Sequence, residues 1–99
     1  MPRKPLSSDE TIAVLRVFMD DTEKAFHGYE VAKTVGRSGG PVYRTLNRLE
    51  AKGLLSGEWD KAWTQGARRK LYTATMSGIL FYQKHMASVD FNVLNPKTR

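Results

Sequence analysis

Cysteine is absent from the 99 residues, which excludes disulfides, thiolate zinc sites, iron–sulfur clusters and a cysteine nucleophile. The core must therefore be held by packing alone. Long apolar runs are absent too. No stretch of about 18 apolar residues occurs, as a membrane span requires. The opening residues, Met1 to Asp9, lack the apolar segment that follows the basic residues of a secretory signal. The expected location is the cytoplasm, with no membrane partner. Histidine is scarce. His27 and His85 are far apart and have no partner at metal-ligand spacing, so neither a metal nor a cofactor is expected. The paired acids Asp20–Asp21 and Glu58 with Asp60 stand without a histidine, serine or glycine-rich loop beside them. No catalytic constellation results, and the chain does not read as an enzyme. With 40% hydrophobic and 26% charged residues, it has the composition of one compact domain burying roughly 60–65% of its unfolded surface.

Charge is present in excess and unevenly spread. The net charge is +6. From Lys33 to Tyr72 nine basic residues face three acidic ones, while the rest of the chain balances at seven of each. The entire excess therefore falls in the middle of the chain, which favours a surface for an anionic partner over a general solubility device.

Ser7 with Glu10 fits a capping box at the start of a first helix reaching about Met19, whose Ile12, Leu15 and Met19, widened by Val14 and Phe18, form a core stripe. A turn at His27-Gly28-Tyr29 leads to a short helix through Val31, Ala32 and Val35, stopped by Gly36. Ser38 is placed to cap a third helix, with Gly39, Gly40 and Pro41 in its first turn and its end at Gly53. At about 100° per residue, Val42, Leu46 and Leu49 share one face, and Gly40, Arg44, Asn47, Arg48 and Ala51 lie opposite. Two strands follow, Leu54–Trp59 and Lys70–Thr75, joined by a polar loop with basic residues at its far end. A last helix spans roughly Met76–Ser88, about 20 Å, and the tail after it reads as frayed. On it Ile79, Tyr82 and Met86 share a face, while Leu80 and Phe81 point away and need other cover.

Three helices, the third cationic on its outer face, followed by a hairpin with a basic loop, are the order of a winged helix–turn–helix. The expected class is α+β, mainly α, with a two-stranded wing and one C-terminal dimerisation helix. Residues 1–75 are expected to form the DNA-binding domain, and 76–99 a C-terminal helix and tail that a second subunit would cover. The chemistry suits duplex DNA, because arginine pairs with guanine and asparagine with adenine in the major groove. Arg44, Asn47 and Arg48 carry that chemistry, and the bare helix start at Ser38, Gly39 and Gly40 lets a phosphate approach backbone N–H groups. In the loop and the strand after it, Lys61, Gln65, Arg68, Arg69 and Lys70 are the candidates for the DNA backbone. Tyr43 is suited either to a phosphate or to packing on the wing. Trp59 is expected to pack in the hairpin, and Trp63 is suited either to contact sugar or to brace the loop. His27 is read as structural and His85 as a surface residue.

Three segments carry a family resemblance: His27-Gly-Tyr-Glu-Val31, Ser38-Gly-Gly-Pro-Val-Tyr-Arg-Thr-Leu-Asn-Arg-Leu-Glu-Ala-Lys-Gly-Leu-Leu55, and Gly66-Ala-Arg-Arg-Lys-Leu-Tyr-Thr-Ala-Thr-Met-Ser-Gly78. In order and spacing they resemble the PadR family of bacterial transcription regulators across residues 27–78. The resemblance implies a repressor binding an inverted repeat as a homodimer, its third helix in the major groove, its wing near the minor groove and its last helix dimerising. Ser38, Gly40 and Tyr43 match the start of the family's recognition helix, and Gly66, Arg69 and Lys70 match its wing. Some relatives release DNA on binding a small molecule, but no effector is identified from this sequence. Pro41 stands where the family usually has threonine and Arg44 where it has proline, so Arg44 is a candidate reader particular to this chain. The dimerisation candidates are Ile79, Leu80, Phe81 and Met86, on a last helix that reads as short for the family. Two other readings fit the same features: an architectural or excisionase-like DNA-bending protein, and a protein-interaction module whose basic face meets an acidic partner.

Overall fold

The computed structural model describes residues 9–94, with side chains described through Ser88. It contains helix α1 (Asp9–Met19), strand β1 (Phe26–His27), helix α2 (Gly28–Val35), helix α3 (Gly39–Ala51), strands β2 (Leu55–Trp59) and β3 (Lys70–Ala74), and helix α4 (Met76–Leu94). Asp9 and Glu10 in the first turn of α1 complement the helix dipole, whereas Ser7 of the expected capping box lies outside the described residues. The buried stripe of α1 is Thr11, Val14, Leu15 and Phe18, joined by Val17. Ile12 and Met19, expected at its centre, are half-buried at its edges. The stripe turns this way because Thr11 tolerates burial, its hydroxyl accepting a 2.7 Å hydrogen bond from Arg48 Nη2 on α3.

Strand β1 is an element the sequence did not announce, since two residues are too few to show alternation. It pairs antiparallel with β3, Phe26 opposite Tyr72 and His27 opposite Leu71. The two-stranded wing thus belongs to a three-stranded sheet of order β1-β3-β2. Helix α2 stops at Gly36, whose φ of 75° is the left-handed conformation that glycine adopts without strain. Helix α3 begins after Ser38 in extended conformation, as expected, but the Ser38 hydroxyl makes no capping bond. It ends at Ala51 rather than Gly53, because Gly53 turns to a φ of 77°. Val42, Thr45, Leu46 and Leu49 are its buried face.

The β2–β3 ladder runs from Leu55 opposite Ala74 to Trp59 opposite Lys70. Thr75, expected in the strand, instead caps α4: its Oγ1 accepts the Gly78 N–H at 3.0 Å and donates to the Gly53 carbonyl at 2.8 Å. Helix α4 has 19 residues, about 28 Å, against the 13 expected. Its continuation through residues 89–94 follows from a run without glycine or proline; the next breaker is Pro96. Gly78, Phe81 and Tyr82 face the body of the domain, so Phe81, expected to point away, packs against the core. Their i, i+3, i+4 spacing puts them on one face, whereas Tyr82 and Phe81 are expected on different ones. Leu80 is 56% exposed, and Ile79 and Met86 are half-buried. The core gathers Val14, Leu15, Phe18, Phe26, Val31, Val42, Leu46, Leu49, Leu55 and Tyr72, with Phe18 and Phe26 edge to face at 5.1 Å.

Candidate nucleic-acid interface

Packing the Val42–Leu46–Leu49 face into the core turns the opposite side of α3 outward, beside the hairpin that its own C-terminal turn feeds. At its start Ser38 and Gly40 are exposed and Gly39 is half-buried. Tyr43 lies across Gly28 at the head of α2, where any added Cβ would collide with its ring, and also borders Gly39. The side chain thus rests on α2 and Gly39 while staying 44% exposed, an arrangement set by how α2 and α3 cross.

The three polar candidates of α3 differ in their surroundings. Arg44 is exposed and makes no ion pair among the described residues. Asn47 is exposed, and its Oδ1 accepts the Tyr72 hydroxyl at 3.0 Å, which leaves the amide N–H₂ as the outward donor. Arg48 is half-buried and turned toward α1, where it donates to Thr11; its Nε is buried without a hydrogen-bond partner among the described residues. The helical wheel places Arg48 beside Arg44, but Arg48 sits at the α1 edge of the face and is held there.

The wing's basic run is similarly divided. Lys70 Nζ donates to Glu50 Oε1 of α3 at 2.8 Å, and this bond, outweighing desolvation, raises the Lys70 pKa above its ordinary value. The Glu50 carboxylate lies against Gly57, where a Cβ would stand 2.7 Å from Oε2, so the pair depends on a glycine in β2. Beneath it, burial pushes the Tyr72 phenol up. Arg69 Nε pairs with Asp60 Oδ2 at 3.0 Å and its guanidinium lies 3.8 Å from the Trp63 ring centre. Trp63 Nε1 donates to the Ala67 carbonyl at 3.1 Å, which braces the loop. Arg68 is exposed and stacks 4.3 Å over Trp59. Trp59 remains 48% exposed rather than packed in the hairpin, because β2 shows this edge to solvent. Lys61, Gln65 and Gly66 are exposed along the loop.

Wing, α3 and the head of α2 thus form one concave surface that brings together Tyr43, Asn47, Gln65, Arg68, Arg69 and Lys70; Arg44 and Arg48 lie around the helix from it. Sequence reasoning missed the acids that hold this surface, Glu50 and Asp60. Gly57, a strand glycine, was the one signal of a close approach there. His27 sits at the α2 N-cap with Nε2 3.8 Å from Glu30 Oε1, a structural position, while His85 is half-buried on α4. Among the described residues no group of three His, Asp or Glu side chains is placed to hold a metal, and no helix is long and apolar enough to cross a membrane.

Known structures place this arrangement. A PadR family transcription regulator from Clostridium difficile R20291 is 26% identical, with a TM-score of 0.73 over 93% of this chain and 100% of that one. Staphylococcus aureus MepR, as its A103V mutant, is 23% identical with a TM-score of 0.75 over 92% of this chain. The S. aureus MepR–DNA complex gives 23% and 0.72 over 92% of this chain and 71% of that one. The chain spans 64% of the length of the MepR A103V chain. No curated protein matches the sequence. The model of the Transcriptional regulator PadR-like family matches residues 14–84, most of the described chain. The chain belongs to the Transcriptional regulator PadR-like family.

Proposed function

We propose that the chain is a sequence-specific, double-stranded DNA-binding repressor that acts in the cytoplasm as a homodimer on an inverted repeat. The observation that carries this reading is the exposed face of α3, where Arg44 and the Asn47 amide stand clear of internal ion pairs beside a wing that presents Arg68. The chain shares its fold with S. aureus MepR, a protein solved in complex with DNA, which supports a DNA-binding reading. In this reading Arg44 and Asn47 read base edges in the major groove, and Arg68 and Lys61 follow phosphates. Arg48 braces α3 against α1, and Arg69 and Lys70 shape the wing through their carboxylate partners. Residues 1–75 bind DNA, and α4 with the tail joins the two copies through a face centred on Leu80.

Fluorescence anisotropy tests this with the DNA upstream of the chain's own gene and a scrambled duplex, titrated from about 50 to 200 mM salt, where phosphate-only binding collapses. The upstream fragment is expected to stay bound while the scrambled one dissociates. Arg44→Ala should remove about 1–3 kcal/mol of that discrimination, and Arg68→Ala should weaken both duplexes and flatten the salt slope. Equal loss of both duplexes at every site tried by unbiased selection would reject sequence-specific repression.

A further inference from the structure

Tyr72 is a core residue, 3% exposed, and its hydroxyl needs a hydrogen-bond partner there. It finds one by reaching from β3 to α3, where it donates to Asn47 Oδ1 at 3.0 Å. Burial pushes the phenol pKa up, so the group keeps the proton it gives. That proton decides which way round the amide lies. With the amide turned over, its N–H₂ would face the phenol and the buried O–H would lose its acceptor, which is the costlier arrangement. The strand that carries the hydroxyl is itself fastened. Two residues before Tyr72, on the same side of β3, Lys70 Nζ holds Glu50 of α3 at 2.8 Å. Gly57, opposite Tyr72 in the ladder, leaves the space in which the Glu50 carboxylate sits. Asn47 is thus an exposed side chain whose rotation is set from inside the fold.

We propose that Tyr72 is a positioning residue for base recognition: it makes Asn47 a donor-only reader that selects guanine over adenine in the major groove. The inference rests on the DNA-binding reading of α3. An amide recognises adenine by accepting from N6 while donating to N7, and here the accepting oxygen is turned inward to the phenol. Guanine presents N7 and O6, both acceptors, to the outward N–H₂, whereas cytosine presents only a donor. At the base that Asn47 meets, guanine therefore ranks first and cytosine last. Thymine, with O4, and adenine, with N7 beside a donor, fall between them. An asparagine on this face of the helix, taken alone, is matched to adenine. What reverses the match is a hydroxyl 25 residues further along the chain.

The test uses the full chain in two arms. Without DNA, a nitrogen-15 correlation spectrum reads the Asn47 side-chain amide, assigned by its disappearance in Asn47→Asp. Tyr72→Phe keeps the aromatic ring, and with it the ring-current field, but removes the hydroxyl. It is expected to shift that amide while the backbone signals keep their dispersion, and an unmoved amide overturns the proposal. With DNA, selection from a randomised duplex pool gives the preferred site, and the position where Asn47→Ala loses its preference is the base that Asn47 reads. The wild type is expected to favour guanine over adenine there by about tenfold, and Tyr72→Phe to bring that ratio to about one with the rest of the site unchanged. A role in packing alone would weaken every duplex equally and leave the ratio where it was, which overturns the proposal. Asn47→Asp, an exposed change that leaves the core alone, is expected to move the preference to cytosine, whose N4 donates. If Tyr72→Phe fails to fold, the wild-type ranking and Asn47→Asp still decide. Adenine preferred by the wild type at this position, or no position altered by Asn47→Ala, overturns the proposal and leaves the DNA-binding reading standing. A selection that enriches no sequence rejects that reading itself.

Discussion

Gly28 and Gly78 are both closed to a Cβ, but what stands in the way differs. At Gly78 the obstacle is the Leu54 carbonyl, a backbone group fixed between α3 and β2. At Gly28 it is the ring of Tyr43, a half-exposed side chain free to swing outward. Gly78→Ala is therefore expected to cost about 1–3 kcal/mol in urea unfolding, as overpacking against fixed backbone does. Gly28→Ala should cost less and should be largely neutral in a Tyr43→Ala background, a non-additivity that a double-mutant cycle reads directly. The two arginines of α3 separate by the same logic. Arg48→Ala removes a charged hydrogen bond to the buried Thr11 hydroxyl and should destabilise the fold by about 1–3 kcal/mol, whereas Arg44→Ala should leave thermal stability unchanged. Both arginines look alike on a helical wheel. What distinguishes them is the approach of α1, a contact between positions 37 apart in sequence, and no local pattern encodes it.

The elements that the sequence displays best are those with a long apolar period. The buried face of α3, Val42, Leu46 and Leu49, follows from spacing alone, and so does the hairpin that places the basic loop beside it. The two-residue β1 does not, because its existence is decided by β3 offering a free edge. Within the wing, what stayed hidden is electrostatic: Glu50 and Asp60 look like scattered surface acids until the hairpin folds back onto α3. That arrangement sets a pH dependence. Lys70 has a folded-state pKa raised above its ordinary 10.5, first through the Glu50 hydrogen bond. Tyr72 is raised above its ordinary 10.0, first through burial. For both groups the protonated form is favoured in the folded state, so their stabilisation is complete below the unfolded pKa and is lost as pH rises through the folded one. Thermal midpoints should accordingly fall from about pH 10 upward. Tyr72→Phe should reduce that alkaline decline by removing the phenol ionisation, and Glu50→Gln should reduce it by removing the cause of the Lys70 shift. Parallel declines in the wild type and both variants would show that neither group governs the alkaline limb.

At the scale of the whole molecule the decisive feature is α4, whose 19 residues carry it about 28 Å. Expected to end at about Ser88, it runs on to Leu94 because no glycine or proline interrupts residues 89–94. A helix with apolar residues on two sides has two surfaces to cover. One side, with Gly78, Phe81 and Tyr82, is covered by the domain itself, and Arg16 Nε reaches the Tyr82 hydroxyl across it at 3.4 Å. The other bears Leu80, 56% exposed, and Met76, 68% exposed, left uncovered among the described residues. If a second copy supplies that cover, as proposed, a charge at position 80 removes it without disturbing the first side. Leu80→Glu is expected to sediment as a folded monomer at concentrations where the wild type is a dimer. Its affinity for a full inverted repeat should drop by a factor of 10² or more, because two linked contacts become one, while affinity for a single half-site stays as it was. Phe81→Ala, on the covered side, should instead lower the unfolding midpoint. A Leu80→Glu chain that still sediments as the wild type does, with undiminished affinity for the full repeat, would mean that the two half-sites are joined by some other surface of the molecule.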